Sequence, residues 1–238
     1  MKQKKKNCSV KVEGKTYIRQ SSLSFAHGLN FYKLFWVFFI GSLIGVVLET
    51  IWCVITLHKI ESRTGLIFGP FNPVYGFGAV FITFCLYKLR NQRDLFIFAD
   101  GVVLGGAFEY LCSWIQELVF GTVSWQYSHE QFNIGGRTTL LYGFFWGILA
   151  LLWIKNVYPM MSTLIEKIPN RFGKTLTWIF IVFMVFNMSV SALAVMRQTQ
   201  RRDSIPANNV VDKVMDQYFT DHFLKWVYPN MILAPKKE

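Results

Sequence analysis

The chain has 238 residues, 53% hydrophobic, 17% aromatic and only 16% charged, with a formal net charge of +11 and a positive mean hydropathy. A soluble domain of this size carries about 25% charged residues, so an ordinary water-soluble globule is excluded. The apolar residues come in unbroken blocks, and the sequence reads as an all-α integral membrane protein of about five transmembrane helices.

In chain order, residues 1–30 are a polar, lysine-rich tail with little sign of fixed structure. A transmembrane domain follows over 31–197, with apolar runs at Leu34–Leu57, Pro73–Leu89, Leu95–Phe120, Thr138–Ile154 and Thr175–Met196. The first, third and fifth reach the ~20 residues a span needs; the second and fourth, at about 17, sit at the lower limit. The first run is too long for a cleaved signal peptide and is expected to remain as an anchor. Residues 198–238 form a C-terminal amphipathic tail. In it Val211, Val214, Met215, Tyr218 and Phe219 mark one helix over 208–231, and Trp226 and Tyr228 suit a membrane interface. This helix is expected on the outer surface, or as a lid over an outward-facing site.

Basic residues set the orientation. Eight precede the first span, from Lys2 to Lys33; Lys88, Arg90 and Arg93 lie between the second and third; Lys155, Lys167, Arg171 and Lys174 lie between the fourth and fifth. The other two loops hold only Lys59, Arg63 and Arg137. The positive-inside rule therefore places the N-terminus in the cytoplasm and the tail outside, although Arg197, Arg201 and Arg202 run against that placement. Attraction to anionic membrane lipids accounts for the basic N-terminus, so no nucleic-acid partner is needed. Cys53, Cys85 and Cys112 fall singly within spans, and no Cys/His spacing indicates a metal or other cofactor. Gly173-Lys174-Thr175 resembles the end of a phosphate loop, but Ile168 stands where the first glycine belongs, so nucleotide binding is rejected.

The most informative pattern is Gly41-x3-Gly45-x3-Glu49, which returns as Gly101-x3-Gly105-x3-Glu109. At this spacing each triplet lies on one helix face, two glycines below and a carboxylate above. An ionisable residue inside a span is costly, so both glutamates are candidate site residues. The pattern divides the domain into two parallel-topology hairpins, 34–89 and 95–154, followed by a fifth helix at 175–196. Tyr75-Gly76-Phe77 and Tyr142-Gly143-Phe144 appear as a further repeat at the starts of the two return spans.

The expected site is an outward-facing polar cavity. Glu49 and Glu109 line it, Arg63 and Arg137 from the outer loops balance them, and Glu117, Asn72, Tyr75, Trp125, Asn133 and Trp146 complete it. Three functions compete for such a site. One is a transporter permease, one a membrane-embedded enzyme acting on a lipid or lipid-linked envelope precursor through the carboxylates and His129, and one an assembly factor in which Glu–Arg pairs only lock hairpins together. A homo-oligomer is left open.

The run Gly65-Leu66-Ile67-Phe68-Gly69-Pro70-Phe71-Asn72-Pro73-Val74-Tyr75-Gly76-Phe77-Gly78 resembles a signature of the ABC-transporter type IV, or CmpB-type, permease family of bacterial membrane proteins. So do Trp125-Gln126-Tyr127-Ser128, Asn133, Gly136-Arg137, Trp146-Gly147, and the tail from Tyr218 to Met231. The resemblance covers about residues 35–231. It implies a multi-pass protein of the bacterial plasma membrane with an ATP-binding subunit as its cytoplasmic partner, for which 155–174 is the longest docking segment. Gln126 stands where the family pattern has an aspartate, so any role of that acid is in doubt here.

Overall fold

The computed structural model describes residues 7–12, 15–20 and 23–233. The protein is an all-α membrane protein. Its long helices are α1 (Phe31–Leu57), α3 (Asp94–Phe120), the continuous stretch Leu140–Glu166, and α6 (Asn170–Arg202), each apolar and long enough to cross a bilayer. A shorter apolar helix, α2 (Pro73–Leu86), packs against α1. In the N-terminal tail, expected to hold little fixed structure, β1 (Asn7–Val12) and β2 (Lys15–Gln20) pair antiparallel; the signal is the short alternation of Cys8, Val10 and Val12 with Ser9 and Lys11.

Helix ends follow local chemistry. Asn30 caps α1 through Lys33 N, and α1 ends at His58 in the left-handed region. Asn72 caps α2 through Val74 N, with Pro73 at the first helical position. Gly121, at φ 61°, closes α3. Three short strands follow: β3 (Thr122–Val123), β4 (Asn133–Ile134) and β5 (Thr138–Thr139). Thr139 then caps α4 (Leu140–Leu152).

The fourth span does not end at Ile154 as its apolar run does. It passes through a π-helical turn, Trp153–Val157, into α5 (Tyr158–Glu166). The Trp153 indole donates to Thr83 Oγ1 at 2.7 Å across the core, and Lys155 Nζ meets Asp94 at 2.9 Å. The lysine is thus neutralised by the start of α3 and the helix continues past it. Much of the expected 155–174 loop is therefore helical. At this same end, Lys33 is fully buried; its ammonium donates to Ser162 O at 3.0 Å, to Ser162 Oγ, and to Glu166 at 2.7 Å.

The two hairpins pack alike, in a register one helical turn away from the Tyr-Gly-Phe repeat. Gly41 lies against Gly76 and Ala79, and Gly45 against the Tyr75 ring; Gly101 lies against Gly147 and Ala150, and Gly105 against the Trp146 ring. Tyr75-Gly76 thus corresponds in packing to Trp146-Gly147. A Cβ on Gly76 would meet Phe38 O at 2.5 Å and one on Gly147 would meet Phe98 at 2.7 Å, whereas one on Gly143 has its first neighbour, Val102, at an ordinary 3.4 Å. Close approach of backbones selects Gly147 as the counterpart.

The hairpins differ in how the return helix begins. α2 has 14 residues, about 21 Å at 1.5 Å per residue, too short for the hydrocarbon core. The segment before it is irregular, and its polar groups are met by protein. Phe68 N donates to Asn187 Oδ1 at 3.1 Å, Asn187 Nδ2 returns to Phe68 O at 2.6 Å, Ile67 N reaches Ser191 Oγ at 3.0 Å, and Asn72 N reaches Ser42 O at 3.0 Å. Asn187 stands near the middle of α6 and is fully buried. Irregular backbone at membrane depth is stable only with such internal partners.

The C-terminal tail forms α7 (Val210–Tyr218) and α8 (Asp221–Val227), broken where Thr220 caps α8, in place of one helix. It sits at the same end of the bundle as loops 58–72 and 121–139. Ser62 Oγ donates to Val227 O at 2.8 Å, and β6 (Ile232–Leu233) pairs with β3. The arginines that run against the basic-residue pattern are all paired here: Arg197 with Asp216 at 2.9 Å, Arg201 with Asp216 at 2.7 Å and Asp221 at 2.5 Å, and Arg202 with Asp203 at 3.1 Å.

Candidate functional site

In the first hairpin, α1 carries Glu49 one turn beyond Gly45, and the Tyr75 ring occupies the space that Gly45 leaves. From there the Tyr75 hydroxyl donates to Glu49 Oε2 at 2.7 Å. Arg63 approaches from the loop. Its Nη1 lies 3.7 Å from Glu49 Oε1, and its Nη2 donates to Cys53 Sγ at 3.0 Å and lies 3.4 Å from Glu61. Burial opposes the arginine's charge, but Cys53, Glu49 and Glu61 together hold its pKa above the usual value. Its Nε is buried and has no hydrogen-bond partner among the described residues. Lys59, 2.5 Å from Glu61, holds that carboxyl below its usual range.

The second hairpin repeats the framework with different donors. Glu109 rises one turn beyond Gly105, and the Trp146 indole, seated against Gly105, addresses the carboxylate. Thr138 Oγ1 donates to Glu109 Oε2 at 2.7 Å and the Tyr127 hydroxyl to Oε1 at 3.1 Å. Tyr127 N donates to Gly136 O at 2.8 Å, which fixes the loop that presents the ring. Burial first, then the Glu109 charge, pushes the Tyr127 phenol up, so it remains a proton donor at physiological pH.

Arg137 does not meet Glu109 as expected. It pairs with Glu117, donates to Ser113 Oγ at 3.1 Å, and lies 5.9 Å from the Tyr110 ring centre. Ser113 and Glu117 are one and two turns further along α3, so the arginine serves a level beyond Glu109. Trp125 secures that arrangement by donating from Nε1 to Arg137 O at 2.9 Å. Asn72 and Asn133 act on backbone: the first caps α2, and the second accepts from Gly136 N at 2.9 Å and donates to Glu130 O at 2.8 Å. Gln126 packs beside Gly136, and His129 is exposed.

A cavity of about 390 Å³ joins the halves. Glu49, Trp52, Arg63 and Tyr75 line it from the first hairpin, and Tyr127 and Tyr142 from the second, their rings stacked 4.5 Å apart. Of the expected residues, Glu49, Arg63 and Tyr75 face this space together. Glu109 stands behind Tyr127, and Trp146 behind Glu109. Trp52, Cys53, Tyr127 and Tyr142 are additional walls. Tyr142 could have been found from its place in a Tyr-Gly-Phe triplet; Trp52 carries no signal beyond its position one turn from Glu49.

No curated protein and no solved structure matches the chain. Residues 36–192, more than half of the sequence, match the family described as Putative ABC-transporter type IV. That match spans both glycine-striped hairpins, the irregular segment before α2 and most of α6, and the chain belongs to this family.

Proposed function

We propose that the chain is the membrane-embedded permease subunit of a bacterial plasma-membrane transporter, with its N-terminus in the cytoplasm and the Glu49–Arg63–Tyr75 cavity facing outward. The observation that carries the reading is the convergence of two intramembrane carboxylates on one cavity from two similarly packed hairpins. Glu49 borders it directly, and Glu109 is coupled to it through Tyr127. Matching hairpins with a site at their junction are the arrangement of repeat-built transporters. The partly broken return path Gly65–Asn72 adds to this, since irregular backbone at membrane depth usually lines a pathway or is buried in protein. An ATP-binding subunit would dock at the opposite end, on α5 and the start of α6, where Lys167, Arg171 and Lys174 are exposed.

The tagged chain, purified from its native membrane in a mild bilayer mimic, is expected to bring a stoichiometric ATP-binding subunit with it. Recovery of the chain alone, after cross-linking in intact cells, would overturn the permease assignment. The Arg137–Glu117 pair is read differently, as a lock between loop and helix. Exchanging the two charges should restore stability there, whereas exchanging Glu49 and Arg63 should not restore activity.

A further inference from the structure

We infer that the cavity between the hairpins takes a compact zwitterion: an ammonium group joined by a short linker to a carboxylate or phosphate. The inference rests on the permease reading for the ligand's role as cargo, and on the cavity alone for its chemistry.

The ammonium side is built from rings and a carboxylate. Trp52, Tyr75, Tyr127 and Tyr142 contribute aromatic surface to one space. Two of these phenols are hydrogen-bonded to carboxylates, Tyr75 to Glu49 at 2.7 Å and Tyr127 to Glu109 at 3.1 Å. Donation to an anion increases electron density on the ring, which strengthens its attraction for a cation over its face. Glu49 retains an open acceptor. Among the described residues its Oε1 makes no hydrogen bond, and Arg63, at 3.7 Å, is too far for one.

The anionic side is the guanidinium of Arg63. Nη2 is engaged by Cys53 and Glu61, while Nη1 makes no hydrogen bond among the described residues and lies 3.7 Å from Glu49 Oε1. A guanidinium edge left unpaired beside the cavity is one that a ligand oxygen would complete.

Charge balance then selects a ligand carrying both signs. A lone anion on Arg63 would draw the guanidinium from Glu49 and leave a carboxylate facing it. A lone cation on Glu49 would do the converse to Arg63. A zwitterion replaces one loose Glu49–Arg63 contact with two matched ones, and its charges need be separated by only a few bonds. Trp52 is 65% exposed and Ile55, on the same outer stretch of α1, 63% exposed, so the cavity opens toward the lipid as well as outward. The ligand is therefore either a free solute or the headgroup of a zwitterionic lipid.

The test uses the full chain in nanodiscs of phosphatidylglycerol, a lipid without an ammonium group, with calorimetric titration of glycine betaine, phosphocholine, choline and acetate. Betaine and phosphocholine should bind about tenfold or more tightly than choline or acetate. Arg63→Gln should bring betaine to the level of choline. Tyr142→Leu, which breaks no side-chain hydrogen bond of the ring, should weaken betaine and choline alike. Loss of phosphocholine binding on transfer to phosphatidylcholine discs identifies the headgroup as occupant; unchanged binding identifies a free solute. Acetate or choline binding as tightly as betaine, or none of the four binding to folded protein, overturns the inference. An ATP-binding subunit that co-purifies while no zwitterion binds removes this inference alone, and zwitterion binding without such a subunit removes the permease reading alone.

Discussion

Gly105 and Gly106 are neighbours on α3 with opposite surroundings. A Cβ on Gly105 would fall on Cβ and Cγ of Trp146, far inside van der Waals contact, whereas one on Gly106 has its first neighbour, Thr138 Oγ1, at 3.8 Å. The first clash involves the root of the tryptophan side chain, which moves only if the α4 backbone moves. Relief needs α4 to retreat by roughly 1 Å, the kind of overpacking that costs about 1–3 kcal/mol. Gly106→Ala meets no such obstacle and gains about 0.5–1 kcal/mol of helix preference. The variants should therefore differ by about 1.5–4 kcal/mol in stability. Reversible unfolding of the inserted protein in mixed micelles would measure the gap, with wild type between the two. Equal midpoints for the two alanine variants would refute the claim that Gly105 is there to admit the Trp146 side chain against α3. Because Trp146 also addresses Glu109, Gly105→Ala should disturb the site as well.

Three other outcomes follow from the geometry. Asn187→Leu removes the partner of both the Phe68 N–H and the Phe68 carbonyl and should cost about 1–3 kcal/mol, with faster hydrogen exchange confined to residues 66–72. At the other end of the bundle, Glu166→Gln should destabilise more than Lys33→Met. The lysine is fully buried and cannot rehydrate, while the Glu166 side chain is 32% exposed and can, so about 3–5 kcal/mol is expected for the first change and about 1–2 kcal/mol for the second. Asp216, hydrogen-bonded by Arg197 and Arg201, has its carboxyl lowered from 3.8 to about 2. A depressed carboxyl stabilises the docked tail above its unfolded value and loses that contribution as pH falls through the folded one. Spin labels on α6 and α7 should stay close at pH 4 and above and separate toward pH 2.

The transmembrane architecture was legible because hydrocarbon admits so few solutions. Long apolar runs give helices, and the Gly-x3-Gly-x3-Glu stripes named the faces of α1 and α3 that pack on the return helices. In the first hairpin Glu49, Tyr75 and Arg63 lie together, Tyr75 donating to Glu49 and Arg63 approaching it from the loop. What composition could not show is register. Tyr-Gly-Phe occurs twice, but which glycine permits backbone contact depends on the bulk of the opposing face. That criterion picks Gly147 over Gly143. Likewise the partner of Arg137 was set by its depth, level with Glu117 on α3, and depth cannot be read from charge type.

The difference between the halves carries the last step of the argument. In the second hairpin α4 starts at Leu140, so that its first turn places Tyr142 beside Tyr127. In the first, the packing equivalent of that turn is the irregular segment ending at Asn72, held by Asn187 and Ser191 of α6. The C-terminal half of α1 therefore lacks a helical partner. Val47, Leu48, Ile51, Trp52 and Ile55 are exposed, and Arg63 folds back from the loop to reach Glu49. Replacing one turn of helix with a loop that α6 supports leaves the space in which Glu49, Arg63 and three tyrosines converge. On this argument the apolar fifth run mattered to the site from the start, through two polar residues, Asn187 and Ser191, that its hydropathy concealed.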